Sequence, residues 1–469
     1  MIRPVVFGFI GVAMVTGMTG ERPAPAPRCN LQVLNVDREA SKKEPFNDKT
    51  NVNYDAAGHV KLRCKNQLVF LDADSLSSLS GDYVRMYGHV VYRDSTYRFA
   101  ADSMVYILRI EKLEARGNVD VLDKVAGSTL KGPWVDYWRQ VKGVNDSARV
   151  EALIRPTVRY FTKPAPGDTS KPSPYILTGA HLKGFGQSKL SADSAVTLDR
   201  DSVHAQGDSL AFDRGKTTNV QLSGKVAKFR RAGKDSFSVA GREIRFRLED
   251  DKLRDLRSFL DARVTRGATV VTGDTVTMSF VTEKLSLMLA WNRKTGATLR
   301  SDGYDIVGDS LAVETPGELL REIRVFNHAT IANPLDTALH AGPRFPGDPA
   351  TSDTTRNTLS GERVTARFGQ VDSAGTIVTR LRGLEAFGRG QLQARSYFTR
   401  MVTGKDGRVS PSINYTKADT ILMKMKGGDS SGVAAVQAYG HVDGVQLETV
   451  SAPKAKGDTT KLPPPKGRP

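Results

Sequence analysis

The chain has 469 residues, more than one ordinary hydrophobic core takes. Hydrophobic residues make up 39% and aromatics 7%, a lean content that argues against a compact enzyme and for many short strands around thin cores. With 68 basic and 51 acidic residues, the net charge of +17 favours an anionic partner or a solvated basic face.

The N-terminus reads MIRPVVFGFIGVAMVTGMTGERPAPAPRC. A basic start, an apolar run from Val5 to Val15 and a small-residue, proline-rich end predict a signal peptide over residues 1–28. The competing reading is an apolar N-terminus of a cytosolic chain. The run is too short to span a bilayer, and no later stretch is long enough. The two cysteines, Cys29 and Cys64, are candidates for a disulfide in an exported chain. Cys29 is also a candidate for lipid attachment, although Pro27 and Arg28 do not fit the small residues that chemistry wants.

From residue 45 a repeat sets in, with units spaced by about 30 residues. Its first half is Ala or Gly, then Asp, then Ser or Thr. Copies are ADSL 73–76, ADSM 101–104, ADSA 192–195, GDSL 207–210, GDTV 273–276, GDSL 308–311 and ADTI 418–421. Its second half, apolar-x-Ala-x-Gly, appears at LEARGNV 113–119, VHAQG 203–207, LEAFG 384–388 and VQAYGHV 436–442. VRMYGHV at 84–90 is a variant, and YGHV recurs unchanged near both ends. Each unit reads as two strands: Asp and Ser opening the first, and Gly marking a bulge, a bend or a close backbone approach in the second.

Within LEARGNVDV the alternation is unbroken, which puts Leu113, Ala115, Val119 and Val121 on one apolar face. Val105 and Ile107 on the preceding strand are expected on the same side, as is Val90. MVYILRIEKL admits a helical reading on apolar spacing, but its β-branched residues and alternating neighbours favour strand. The predicted organisation is therefore repeats over 45–160, 176–330 and 358–450, a Pro-rich loop or linker at 331–357, and a disordered tail at 451–469.

Catalytic constellations are not legible. The seven histidines are scattered, with no metal-spaced pair. GFGQSK at 184–189 lacks the third glycine of a dinucleotide loop, and GDSSG at 428–432 satisfies Gly-x-Ser-x-Gly only between two strand-like segments. The recurring Asp comes every thirty residues or so rather than every nine, which argues against a calcium repeat. No enzyme activity, cofactor or metal is expected.

The segment 86–132, MYGHVVYRDSTYRFAADSMVYILRIEKLEARGNVDVLDKVAGSTLKG, resembles the OstA-like family of organic-solvent-tolerance proteins. The resemblance rests on Gly88 and Val90, then Ala101 and Asp102, then Leu113, Ala115, Gly117, Asn118 and Val119, with weaker copies over 180–330 and 357–450. It implies an all-β, elongated, repeat-built β-jelly roll, taco-like and open at the ends, with an apolar groove. It further implies a periplasmic carrier or bridge for an anionic lipid such as lipopolysaccharide, with association at the outer membrane as a variant of that location. The chain is longer than a simple bridge and lacks the aromatic-girdled strands of a membrane barrel. The groove-lining residues would then be Leu113, Ala115, Val119, Val121, Val105, Ile107 and Val90. The expected partners are other OstA-like jelly rolls, joined by edge-strand addition, or a second copy head to tail. A nucleic-acid partner is not expected, because no aromatic stacking platform is evident. The competing reading is a structural or adhesive cell-surface β-solenoid with a filled core and no ligand.

Overall fold

The computed structural model describes residue 29 and residues 31–448 apart from 44–51, 66, 80–81, 162–172, 187, 216, 302, 335–355, 374–375, 404–408 and 426–432. The predicted signal peptide, most of the Pro-rich segment, the GDSSG motif and the C-terminal residues 451–469 lie outside the described residues. Among those described there are thirty strands, short 3-10 turns and no α-helix. The chain is all-β. It divides into two compact units, one of residues up to Gly117 with Asp136–Arg149, the other of Asn118–Val135 with the residues from Val150 onward. This division cuts across the first predicted repeat block, 45–160.

Within each unit, chain neighbours pair antiparallel. In the first, Val52–Cys64, Phe70–Leu79, Tyr83–Arg93 and Tyr97–Ile107 follow one another in register. In the second the same run goes from Lys189–Arg200 through Val203–Arg214, Thr218–Arg231, Phe237–Glu249 and Lys252–Arg266 to Thr269–Val281. Each of these ladders breaks register in mid-strand, at a corner, and the ladder of Phe237–Glu249 with Lys252–Arg266 shifts a second time at Arg247/Leu248. The two halves of a strand then face each other across an interior, as in a jelly roll. Tyr92 and Tyr106, which belong to opposite halves, meet with ring centroids 6.0 Å apart. Phe229 and Phe246 do the same in the second unit at 5.3 Å.

The two sequence motifs build these corners. Gly58-His59, Gly88-His89, Gly117-Asn118 and Gly440-His441 are pairs of residues in the left-handed region, which glycine adopts freely and Asn and His more readily than most. A Cβ on Gly88 would overlap the Asp74 carboxylate, and one on Gly440 would overlap Asp419. The carboxylate occupies that space because it holds the next residue. His59 Nδ1 lies 2.8 Å from Asp37, His89 Nδ1 2.8 Å from Asp74 and His441 Nδ1 2.8 Å from Asp419. Asn327-His328 repeats the arrangement with Asp309 at 3.2 Å, and the Lys225 backbone N–H donates to Asp208 at 2.9 Å. The recurring Asp therefore does not open a strand, as its turn propensity suggested. It sits at the corner in mid-strand or between two strand halves and satisfies the neighbouring corner.

The corners also set which face of each half is buried. A Gly-x corner inserts two residues, so the alternation continues in phase: Leu113 and Ala115 are buried before it, Val119 and Val121 after it. An Asp corner shifts the phase by one. Phe99 and Ala101 are buried before Asp102, but Met104 and Tyr106 after it. Val105 and Ile107 are thus half-buried on the opposite face, which corrects the sequence expectation for both.

Candidate functional site: the interior of the two units

Val90, Leu113 and Ala115 face the interior of the first unit, and Val119 and Val121 are buried in the second. In the first unit this interior is filled. Phe99 stacks on Tyr137 at 5.0 Å, Tyr97 meets Tyr137 edge-on at 5.3 Å, and Tyr92 meets Phe99 at 5.7 Å. Such ring pairs add about 0.5–1.5 kcal/mol each beyond burial. Two carboxylates pin the rings. Asp94 accepts the hydroxyls of Tyr92 at 2.9 Å and Tyr137 at 3.1 Å, and also the backbone N–H groups of Thr96 and Tyr97. Glu111, 1% exposed, accepts Arg139 through Nη2 at 2.8 Å and Nε at 3.2 Å, and the Tyr106 hydroxyl. Burial, helped by these carboxylates, pushes the Tyr92, Tyr106 and Tyr137 phenols well above their ordinary range, so all three act as neutral donors.

Cys29 is joined to Cys64 by a disulfide, with Cα atoms 5.1 Å apart, and its backbone N–H donates to Glu111. The cross-link ties the start of Leu31–Asn35 to the end of Val52–Cys64, its only pairing partner among the described residues.

The second unit changes character along its length. Phe229, Phe237, Phe246 and Phe280 fill the middle. Farther on the interior turns aliphatic. Lys284–Trp291 and Ala297–Ser301 are shorter strands split by a turn, and the 3-10 turn Pro316–Glu318 closes over them. Between them lies a cavity of about 270 Å3. Leu285, Met288, Leu299, Ile306, Val313, Ile323, Ile331, Ala366, Phe368, Leu381 and Leu384 supply its apolar wall. Its polar side carries Arg266, Thr269, Ser301, Tyr304, Thr315 and Glu318. Thr315 is satisfied by donating to the Leu285 carbonyl at 3.1 Å. Burial and the neighbouring Asp235 raise the Glu318 carboxyl, while Arg266 stands 4.0 Å from Glu318 and 3.7 Å from Asp235.

Of these residues the sequence marks only Leu285, as part of an alternating strand, and it marks none as a cavity wall. The available signal was the stretch from Leu285 to Ile331, where aliphatic residues replace the phenylalanines of the preceding strands at the buried positions. Chemically the site offers a dry aliphatic slot with one polar side. No group of three His, Cys, Asp or Glu among the described residues could hold a metal ion, and no helix among them is long and apolar enough to cross a membrane.

Among the described residues Arg38–Lys43 pairs only with Val52–Cys64. Likewise Val433–Tyr439 pairs only with Thr420–Met425, and Asp443–Glu448 only with Val409–Ala418.

No protein-family model matches the sequence, and no curated protein matches it. Among solved structures, the chain is similar to LptH of Pseudomonas aeruginosa, the LptA-homologous periplasmic component of the lipopolysaccharide transport device. That likeness has 15% identity over 23% of this chain and 73% of that one, with a TM-score of 0.20. An overlap so short and so loosely superposed carries no conclusion about function.

Proposed function

We propose that this protein is a non-enzymatic, periplasmic lipid-binding carrier or bridge. The cavity in the second unit takes an acyl chain, and the exposed sheet ends join related jelly rolls or a second copy. The observation that carries this reading is the aliphatic cavity with a single polar side. A cavity of 150 Å3 suffices for a benzene-sized guest, so 270 Å3 accommodates a longer hydrocarbon segment. Each buried methylene stabilises by about 0.8 kcal/mol. Arg266 on the polar side suits an anionic head group, and lipopolysaccharide is the lipid the OstA-like resemblance favours. One observation favours the alternative of a ligand-free structural β-protein: the ring-filled interior of the first unit.

The test is an organic extract of the full chain purified from a Gram-negative periplasm, read by mass spectrometry. An acyl lipid is expected with the wild type and not with Ala366→Trp, which fills the cavity. Wild-type protein free of lipid, or a folded Ala366→Trp protein that still carries it, overturns the reading.

A further inference from the structure

The outer face of the second unit carries a pattern that a lipid interior does not explain. One cross-strand row lies directly beside the corners. In it Phe259 opposes Thr275, Thr275 opposes Trp291, Trp291 opposes Ser310, and Ser310 opposes Phe326. The row continues through Arg363 to Phe387, then Thr420, then Tyr439. Every second residue is aromatic. At about 4.8 Å per strand, successive rings stand roughly 9.6 Å apart. The Ser and Thr between them are those of the repeated Asp motif; Thr275 is buried and Ser310 half-buried. Trp291 is 39% exposed and Tyr439 53% exposed. A register shift between Ser279 and Phe280 turns Leu287, Leu289 and Trp291 outward, while Leu285 stays buried.

At its Phe259 end the row opens into a depression of about 710 Å3 on the same face. The Arg245 guanidinium lies 5.2 Å over the Phe259 ring. Arg245 directly opposes Arg257, a like-charge pair that a sheet disfavours. Nearby cations are already engaged: Arg247 Nε donates to Asp255 at 2.7 Å, and Arg245 reaches Glu243. The Arg257 side chain, also in the wall of the depression, has no hydrogen bond or ion pair among the described residues. An anion placed between Arg245 and Arg257 relieves their repulsion and gains charge-assisted hydrogen bonds.

We propose that this outer face binds an acidic saccharide chain, with a sugar ring lying on Trp291, two strands along the row from the Arg245-capped Phe259, and an anionic substituent held by Arg245 and Arg257. Rings at a two-strand repeat offer flat apolar faces to the C–H faces of sugars, and the half-buried Ser310 stands between Trp291 and Phe326. A single-stranded nucleic acid also stacks on aromatics, but it relies on cations that track its backbone. Beyond the depression this row supplies one, Arg363. The site lies on the opposite face of the sheet from the cavity and does not depend on the lipid reading.

The test titrates the full chain with lipid-free oligogalacturonate, with a neutral cello-oligosaccharide and with oligothymidylate, following heat release and tryptophan emission. Oligogalacturonate is expected to bind saturably and to perturb Trp291, with the neutral sugar weaker. Arg257→Gln and Trp291→Ala are each expected to weaken binding about tenfold. Lys228→Gln, an exposed cation on the other half of its strand, is expected to change it less than about twofold. Lipid recovered with Arg257→Gln stays as in the wild type, which keeps this result separate from the cavity. No binding of oligogalacturonate, equal losses for Arg257→Gln and Lys228→Gln, no loss for Trp291→Ala, or tighter binding of oligothymidylate overturns the proposal.

Discussion

In the first unit Tyr92, Phe99, Tyr106 and Tyr137 close the interior, and Asp94, Glu111 and Arg139 lock the rings in place. In the second, past Phe280, the same kind of bent-strand interior is lined by Leu, Ile, Val and Met around about 270 Å3 of space. Both are made by antiparallel strands folded at Asp and Gly corners. What differs is side-chain volume at the inward positions. The corner motif fixes backbone geometry, and the residues between corners decide whether the interior is a core or a cavity.

The largest expected effect comes from unlocking the filled interior. Arg139→Met leaves Glu111 buried without its cation, and breaking such a pair costs about 3–5 kcal/mol. The double variant Glu111→Leu with Arg139→Met is expected to recover much of that loss, because no charge stays stranded. Denaturant midpoints of the three proteins check both statements. Equal stability for the single and double variants would break the account of Glu111 as a buried charge needing its partner.

The comparison sharpens when both interiors are overfilled. Ala115, in the first unit, and Ala366, on the cavity wall, are both buried. Ala115→Phe forces a ring into packed neighbours and is expected to cost about 1–3 kcal/mol. Ala366→Phe enters existing space and is expected to be neutral or stabilising. Thermal unfolding of the two variants separates them; similar losses would mean that the cavity cannot accept a ring.

These two alanines also mark how far the sequence could be read. Ala115 belongs to a stretch whose alternation is unbroken, since a Gly-Asn corner inserts two residues and keeps the phase. Its inward direction was therefore legible. Val105 and Ile107 were misplaced because Asp102 inserts a single-residue shift, which period-two reasoning cannot see. The all-β repeat architecture was legible from turn spacing, and the corner glycines from their regular recurrence. The Asp–His contacts were not, because their partners sit on different strands, 15 residues apart for Asp74 and His89 and 22 for Asp419 and His441. The cavity was hidden for a different reason: an alternating aliphatic strand reads the same whether the opposite sheet half touches it or stands back.

The corners themselves differ between positions, and that difference is testable at smaller scale. Gly88 has φ +77° and no room for a Cβ beside Asp74. Gly88→Ala is expected to cost about 1–2 kcal/mol from backbone strain alone, and somewhat more because Asp74 must move. Leu260-Asp261 in the second unit is already built from residues with side chains at φ +59° and +60°. Leu260→Gly is therefore expected to relieve strain and to stabilise slightly. Parallel denaturation curves check the opposite signs; a loss in both would mean that Leu260 contributes packing outweighing its strain.

The smallest effect is a pH dependence at the histidine corner, and its sign follows from the partner. The hydrogen bond that the ring donates to Asp74, reinforced by the carboxylate charge, raises the His89 pKa above the ordinary 6.5. The imidazolium is thus favoured in the folded protein. Its contribution to stability is complete below the unfolded value of 6.5 and fades as pH rises through the higher folded value. The ring is fully exposed, so solvent screens the pair and the effect is small. It is expected to disappear in His89→Asn, which keeps a residue tolerant of the left-handed region but cannot titrate. The difference in denaturant midpoint between wild type and His89→Asn, followed from below pH 6.5 upward, should shrink as the imidazole loses its proton. A difference that grows with pH would reverse the assignment and make the neutral ring the better partner of Asp74. An NMR titration of the His89 ring reads the same equilibrium directly, since His89→Asn removes one resonance whose midpoint in the wild type must lie above 6.5.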